Sequence, residues 1–166
     1  MSGKDARRAA EAGDARRAAE AVDVAEVWNR NIGGWDTAMG LRLVSATRDE
    51  VVAEYVVDER HRQPYGIVHG GMHCGAVETV CSTGAAIDAI ARGQAVVGID
   101  NHTSFVHAVR SGRIRITARP ITRGRRTQLW EAVATDETGR VVSTGRVRLL
   151  CLDAGTDLAG QKVGGT

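Results

Sequence analysis

The chain is expected to fold as an α+β domain, with one long buried helix enclosed by an antiparallel sheet of five to six strands. Three observations predict this. Residues 66–93, GIVHGGMHCGAVETVCSTGAAIDAIARG, are small or apolar around almost the whole helical circumference, which suits burial on several sides. Two β-branched segments precede that stretch and four longer ones follow it, separated by short turns. A sheet of that extent with a single helix has to curl around the helix to bury it.

The elements follow in order. DARRAAEA occurs at 5–12 and again at 14–21 around Gly13, a local duplication too short for a repeat architecture. It reads as an exposed Ala/Arg/Glu helix running toward VAEVWN (24–29), so residues 1–30 form an N-terminal helical arm. LRLVSA (41–46) and VVAEYVV (51–57) are strands flanking a turn at Thr47-Arg48-Asp49-Glu50. DERHRQPYG (58–66) is a polar loop punctuated by Pro64 and Gly66. The helix ends near Arg92-Gly93, glycine being its natural stop. Strands at 95–109, 113–121, 126–136 and 140–152 then read as a four-strand meander. The turns between them are Arg110-Ser111-Gly112, Thr122-Arg123-Gly124 and Glu137-Thr138-Gly139. Pro120 calls for an edge or a bulge. Residues 31–152 thus form the domain, and 153–166 a flexible tail.

Composition narrows the function classes. At 166 residues the chain is one domain with enough length for a real core. A net charge of +2 does not call for nucleic acid or a membrane surface. No apolar run approaches the ~20 residues of a membrane helix, and the first residues carry no hydrophobic signal core, so the expected location is the cytoplasm. Cys74 and Cys81 lie about 10 Å apart along one helix, too far for a disulfide. Free thiols are expected, and without C-x-x-C there is little support for zinc. His69 and His73 have an i, i+4 spacing but no third ligand at a fitting distance.

Glu78 is the residue that asks for an explanation. Its helical neighbours are Cys74, Gly75, Cys81, Ser82 and Ala85, and no Lys or Arg occurs between 64 and 91. A buried, unpaired carboxylate is costly, which points to an acid, base or nucleophile in a pocket. His69-Gly70-Gly71 opens the same helix, where free N–H groups and the positive dipole end can hold charge developing on a carbonyl oxygen. Gly70 and Glu78 are eight residues, about 12 Å, apart along the axis. A reacting carbonyl needs both partners within roughly 3–3.5 Å. Two helices related by a two-fold axis can supply them, so a symmetric dimer with two composite sites is expected.

QPYGIVHGGMHCGAVE (63–78), followed by NHTSF (101–105), resembles the hotdog-fold thioesterases, in particular the 4-hydroxybenzoyl-CoA thioesterase and PaaI-like group. The resemblance spans about residues 38–152 and is strongest at 60–82 and 98–107. It implies a long helix wrapped by an antiparallel sheet, edge-to-edge dimers that pair into tetramers, and hydrolysis of an acyl- or aroyl-CoA thioester without a metal or organic cofactor. By position, Glu78 resembles the family's catalytic acid, acting as nucleophile or general base. Gly70 resembles the oxyanion donor and Gln63 the residue orienting carbonyl or water. His69 resembles the brace at the helix start, and Ser82 a small polar group near substrate. The region of Gly124, Arg125 and Arg126, with Arg123 beside it, takes the place of the family's contacts to the nucleotide phosphates. A phosphate-contacting arginine of the family falls at His107, a departure for which Arg110 is the candidate substitute.

Two other readings compete. A non-catalytic acyl-CoA binder on the same fold would retain ligand without releasing thiol, and the presence of both Gln63 and Glu78 argues against it. A dehydratase would need a histidine base at the pocket, a setting that His69 does not share. Trp130 and Phe105 are the side chains large enough to limit an acyl pocket.

Overall fold

A computed structural model describes residues 23–163; the duplicated segment at 5–21 lies outside them. Helices α1 (Ala25–Asn31) and α2 (Gly34–Ala38) lead into strands β1 (Arg42–Ala46) and β2 (Val51–Val56). A short 3-10 turn (Glu59–His61) and a loop precede the long helix α3 (Gly70–Ile90). Strands β3 (Gln94–Phe105), β4 (Arg113–Arg123), β5 (Thr127–Thr135) and β6 (Val141–Asp153) follow. A two-stranded hairpin, β7 (Asp157–Leu158) and β8 (Gln161–Lys162), occupies the segment read as a flexible tail.

The six long strands form one antiparallel sheet in the order β1-β2-β4-β5-β6-β3, and α3 packs across β2 through β6. The expected four-strand meander is corrected here. β4, β5 and β6 are consecutive neighbours, but β3 pairs with β6 and not with β4. The reason is occupancy: β4 has β2 on one side and β5 on the other, so the outer side of β6 is what remains for β3. Pro120 sits just past the last β2–β4 pair, Val51 with Ala118, at a register shift between Pro120 and Thr122. Its missing N–H is needed by neither neighbour, so an otherwise interior strand tolerates it. Because β4 runs on to Arg123, the following turn is Gly124-Arg125-Arg126, later than Thr122-Arg123-Gly124.

The core relies on small helix residues under large sheet residues. Trp130 is completely buried, and its ring lies on Gly84 of α3 so closely that a Cβ there would overlap it. Its Nε1–H donates to Gln128 Oε1 at 2.9 Å, while Gln128 Nε2 donates to Ala85 O and to Asp88 Oδ2, both at 3.2 Å. Asp88, buried at the C-terminal end of α3, also pairs with Arg92 and with Arg48 at 3.2 Å. This polar cluster is satisfied by its own members, which is the condition for burying it.

The two edges of the sheet are treated differently. At β1, Asn29 of α1 behaves as a surrogate strand: its Nδ2 donates to Leu43 O at 2.8 Å and its Oδ1 accepts from Leu43 N at 2.9 Å. Ala46 N donates to Asp23 Oδ1, and Val24 N donates to Ala46 O, each at 2.9 Å. Residues 23–29 are thereby tied to the outer edge of β1. At the opposite edge β3 pairs with β6 on one side and with nothing among the described residues on the other. It also carries exposed Ile99 and Phe105. A twelve-residue open edge with apolar side chains is the kind of strand that pairs with another chain.

Gly84→Ala should destabilise the protein by about 1–3 kcal/mol through overpacking against Trp130. Denaturant unfolding measures this; a midpoint unchanged from wild type would contradict the packing described.

Candidate active site

The loop before α3 is fixed by its own hydrogen bonds. His61 is buried: its Nδ1 accepts from Asp58 N at 2.9 Å, so the proton sits on Nε2, which donates to Met39 O at 2.8 Å. His69 N donates to His61 O, Gln63 N to Ile67 O and Val68 N to Val109 O, at 2.7, 2.9 and 2.8 Å. The side chain of His69 then caps the helix, Nδ1 accepting from Gly71 N at 2.9 Å. The Gly70 N–H, one residue earlier, has no partner among the described residues. A Cβ at Gly70 would come within 2.7 Å of the Phe105 ring, so any larger residue would require that ring to move.

Gln63, Gly70, His73, Phe105 and His107 line one cavity of about 250 Å³. His73 is buried beside Ser143 Oγ, 3.3 Å from its Nδ1, and its ring lies 6.0 Å from that of Phe105. Loss of hydration lowers the His73 pKa to about 4, so the ring is neutral near pH 7. His107 is exposed and directs Nδ1–H to Val141 O at 2.7 Å.

Glu78 lies two turns further along α3 and does not line that cavity. It is half-buried, on a stripe with Cys74, Gly75, Thr79 and Ser82 that the sheet leaves uncovered. Ala85, expected on the same stripe, is instead fully buried. Asn101 Nδ2 donates to Glu78 Oε2 at 2.9 Å, and Ser82 Oγ donates to Oε1 at 3.3 Å. Gly98 opens space for the carboxylate, since a Cβ there would overlap Oε1. Positions 98 and 101 differ by an odd number and would face opposite sides of a regular strand. A register shift between Gly98 and Asp100 makes Ile99 an extra residue, so both neighbours turn toward the helix. On the other flank Trp35 of α2 lies over Gly75, and Thr79 Oγ1 donates to Asp36 Oδ1 at 2.6 Å.

The structure thus divides the residues read from sequence into three groups. Gln63, His69, Gly70 and His107 gather at the start of α3, and Glu78 and Ser82 lie further along it on its open stripe. Arg123, Gly124, Arg125 and Arg126 stand apart, at the β4–β5 connection. Arg123 lies within β4 and is engaged by Asp49 at 2.7 Å and Arg48 O at 2.8 Å, while Arg125 and Arg126 are exposed in the turn. Arg110, the suggested substitute for a phosphate contact, donates to Tyr65 O at 2.8 Å. Of the polar run Asn101-His102-Thr103-Ser104, Asn101 and Thr103 face the helix. Sequence reasoning missed Gly98, Trp35 and Asp36. A lone glycine in a β-branched run was the available sign of the bulge.

The chain belongs to the thioesterase superfamily, whose shared pattern matches residues 65–143. The Mycobacterium tuberculosis protein Rv1847 is 39% identical over 122 residues, 72% of this chain and 87% of that protein. Its solved structure superimposes with a TM-score of 0.71 at 40% identity, covering 72% of this chain and 97% of that one. A 1,4-dihydroxy-2-naphthoyl-CoA hydrolase from Listeria monocytogenes is 31% identical over 113 residues, 68% of this chain and 91% of the relative. The thioesterase HI1161 from Haemophilus influenzae has a TM-score of 0.74 at 28% identity, covering 78% of this chain and 90% of that one. The fold is the hotdog fold, and the enzyme class is that of thioester hydrolases. No helix among the described residues is long and apolar enough to cross a membrane.

His73 gives the site a pH signature. Between about pH 6.5 and 4 the unfolded chain binds a proton that the native ring does not, so its contribution is complete above 6.5 and is lost as pH falls toward 4. Wild type should lose about 3 kcal/mol more than His73→Gln between pH 7 and 4. Denaturant unfolding at the two pH values tests this, and equal losses would contradict it.

Proposed function

We propose that this protein is an acyl-CoA thioesterase acting on aroyl or medium-chain acyl groups through a site shared by two protomers. Glu78 of one protomer is the nucleophile or general base, and the Gly70 N–H of the other is the oxyanion donor. As nucleophile, a Glu78 oxygen bonds to the thioester carbon, the CoA thiolate leaves, and water cleaves the resulting anhydride. As base, Glu78 takes a proton from water as its oxygen attacks, then returns it to the departing sulfur. In either course the carbonyl oxygen becomes negative beside the unpartnered N–H and positive end of α3.

The observation that carries this reading is the position of Glu78. Its carboxylate is held by Asn101 on β3, the edge strand that the protomer leaves unpaired. Antiparallel pairing of two β3 strands about a two-fold axis would bring a second α3 alongside the first. Gln63 lines the Gly70 cavity, where it can orient carbonyl or water. His69 holds the helix start by its cap to Gly71, and Ser82 supports Glu78. Exposed Arg125 and Arg126 suit the nucleotide phosphates, with Gly124 forming the turn and His107 at the cavity rim. Arg123 is occupied by Asp49 and acts through the shape of the turn. The Listeria relative, named for an aroyl-CoA substrate, supports the substrate class. A cytoplasmic location and a tetramer of two dimers belong to the same reading.

Free-thiol release from a panel of aroyl- and acyl-CoA esters tests it. Glu78→Gln should lower kcat by about 100-fold or more while the protein remains folded and dimeric. Near-wild-type turnover by the variant would refute the assignment. A wild-type protein that binds these esters and releases no thiol would instead be a binder.

A further inference from the structure

Resting on the assignment of Glu78, we propose that Asn101 is a positioning residue for the reaction: its amide fixes the Glu78 carboxylate for attack, and Thr103 fixes the amide. Asn101 Nδ2 donates to Glu78 Oε2 at 2.9 Å and to Cys74 O, one helical turn earlier, at 3.0 Å. Both amide hydrogens are thereby used on α3, and the side chain ties the edge strand to the helix at the acid. Thr103 Oγ1 donates to Asn101 Oδ1 at 2.7 Å. A hydroxyl donating to that oxygen leaves the nitrogen pointing at Glu78, so the orientation of the amide is set by a third group.

The backbone is shaped for this contact. The extra residue at Ile99 reverses the alternation of β3 between Gly98 and Asn101. Without it, either the space at Gly98 or the donor at Asn101 would face away from the helix. Gly98 admits Oε1 and Asn101 grips Oε2, so the carboxylate is confined from both sides. A carboxylate held at both oxygens keeps one orientation, which is what attack on a fixed carbonyl carbon or water requires.

The groups around Glu78 are few. On α3 they are Ser82 and Cys81, whose buried thiol is pushed well above its ordinary pKa by desolvation and by the charges of Glu78 and Glu131 of β5. On β3 they are Asn101 and, through it, Thr103, and from α2 Asp36 binds the neighbouring Thr79. No cation among these contacts substitutes for Asn101 as the partner of Oε2.

The test compares Asn101→Leu, Asn101→Asp and Thr103→Val with wild type and Glu78→Gln, using an aroyl-CoA ester turned over by wild type. Asn101→Leu removes the donor at similar size, and kcat should fall by about 10- to 100-fold with KM within about twofold. Asn101→Asp replaces the donor by a second carboxylate and should lower kcat at least as far, again with KM within about twofold. Thr103→Val should give a smaller fall in kcat. Unchanged kcat in both Asn101 variants, or a loss carried by KM and not by kcat, with Glu78→Gln inactive, would overturn the proposal and leave Glu78 as the acid. Turnover by Glu78→Gln would overturn the underlying assignment instead.

Discussion

The unpaired edge of β3 is the constraint on which the rest of this structure depends. A sheet edge exposes a row of backbone donors and acceptors, and a protein has to cover that row or use it. Here one end of the sheet is closed from within: Asn29 and Asp23 give β1 the hydrogen bonds that a seventh strand would have given. The other end is left as a twelve-residue strand bearing Ile99 and Phe105. The same strand grips Glu78 through Asn101 and lays Phe105 over Gly70. Backbone pairing, apolar surface and both proposed reactive groups therefore meet on one element. That coincidence makes a shared site the most economical account of the arrangement.

The helix imposes a second constraint. Its residues have to be small where the sheet presses on it, as at Gly84 beneath Trp130, and small again on the open stripe beside Glu78. Trp35 lies over Gly75, one turn from Glu78, so an aromatic side chain walls that flank of the stripe. The buried cluster of Asp88, Gln128 and Trp130 anchors the far end of the helix away from the proposed chemistry. Rigidity is thus concentrated in the scaffold behind the carboxylate, which favours a fixed geometry at it.

Much of this was legible in the chain itself. The small, apolar composition of 66–93 announced a helix enclosed by sheet, and the lack of basic residues near Glu78 in sequence matches the uncharged partners, Ser82 and Asn101, that hold it in the fold. Strand order was not legible, because pairing β3 with β6 is decided by which edges are free once β2 occupies β4. Asn101 was half-visible: alternation marks two faces, but the face that turns inward depends on a bulge that shifts the parity. Arg123 was read as a turn residue and lies in β4, because β4 continues through Pro120, where β2 has already ended. Side chains that come from distant segments, Trp35 and Asp36, leave no local pattern to read.

The most direct measurement mixes two inactive proteins. Glu78→Gln and Gln63→Ala chains, unfolded and refolded together, form heterodimers in which one composite site carries both defects and the other carries neither. A site shared across the two-fold axis predicts that thiol release reappears in the mixture, well above that of either variant refolded alone. If Glu78 and the Gln63–Gly70 cavity served the same protomer, every site would retain one defect and the mixture would stay as inactive as its parts.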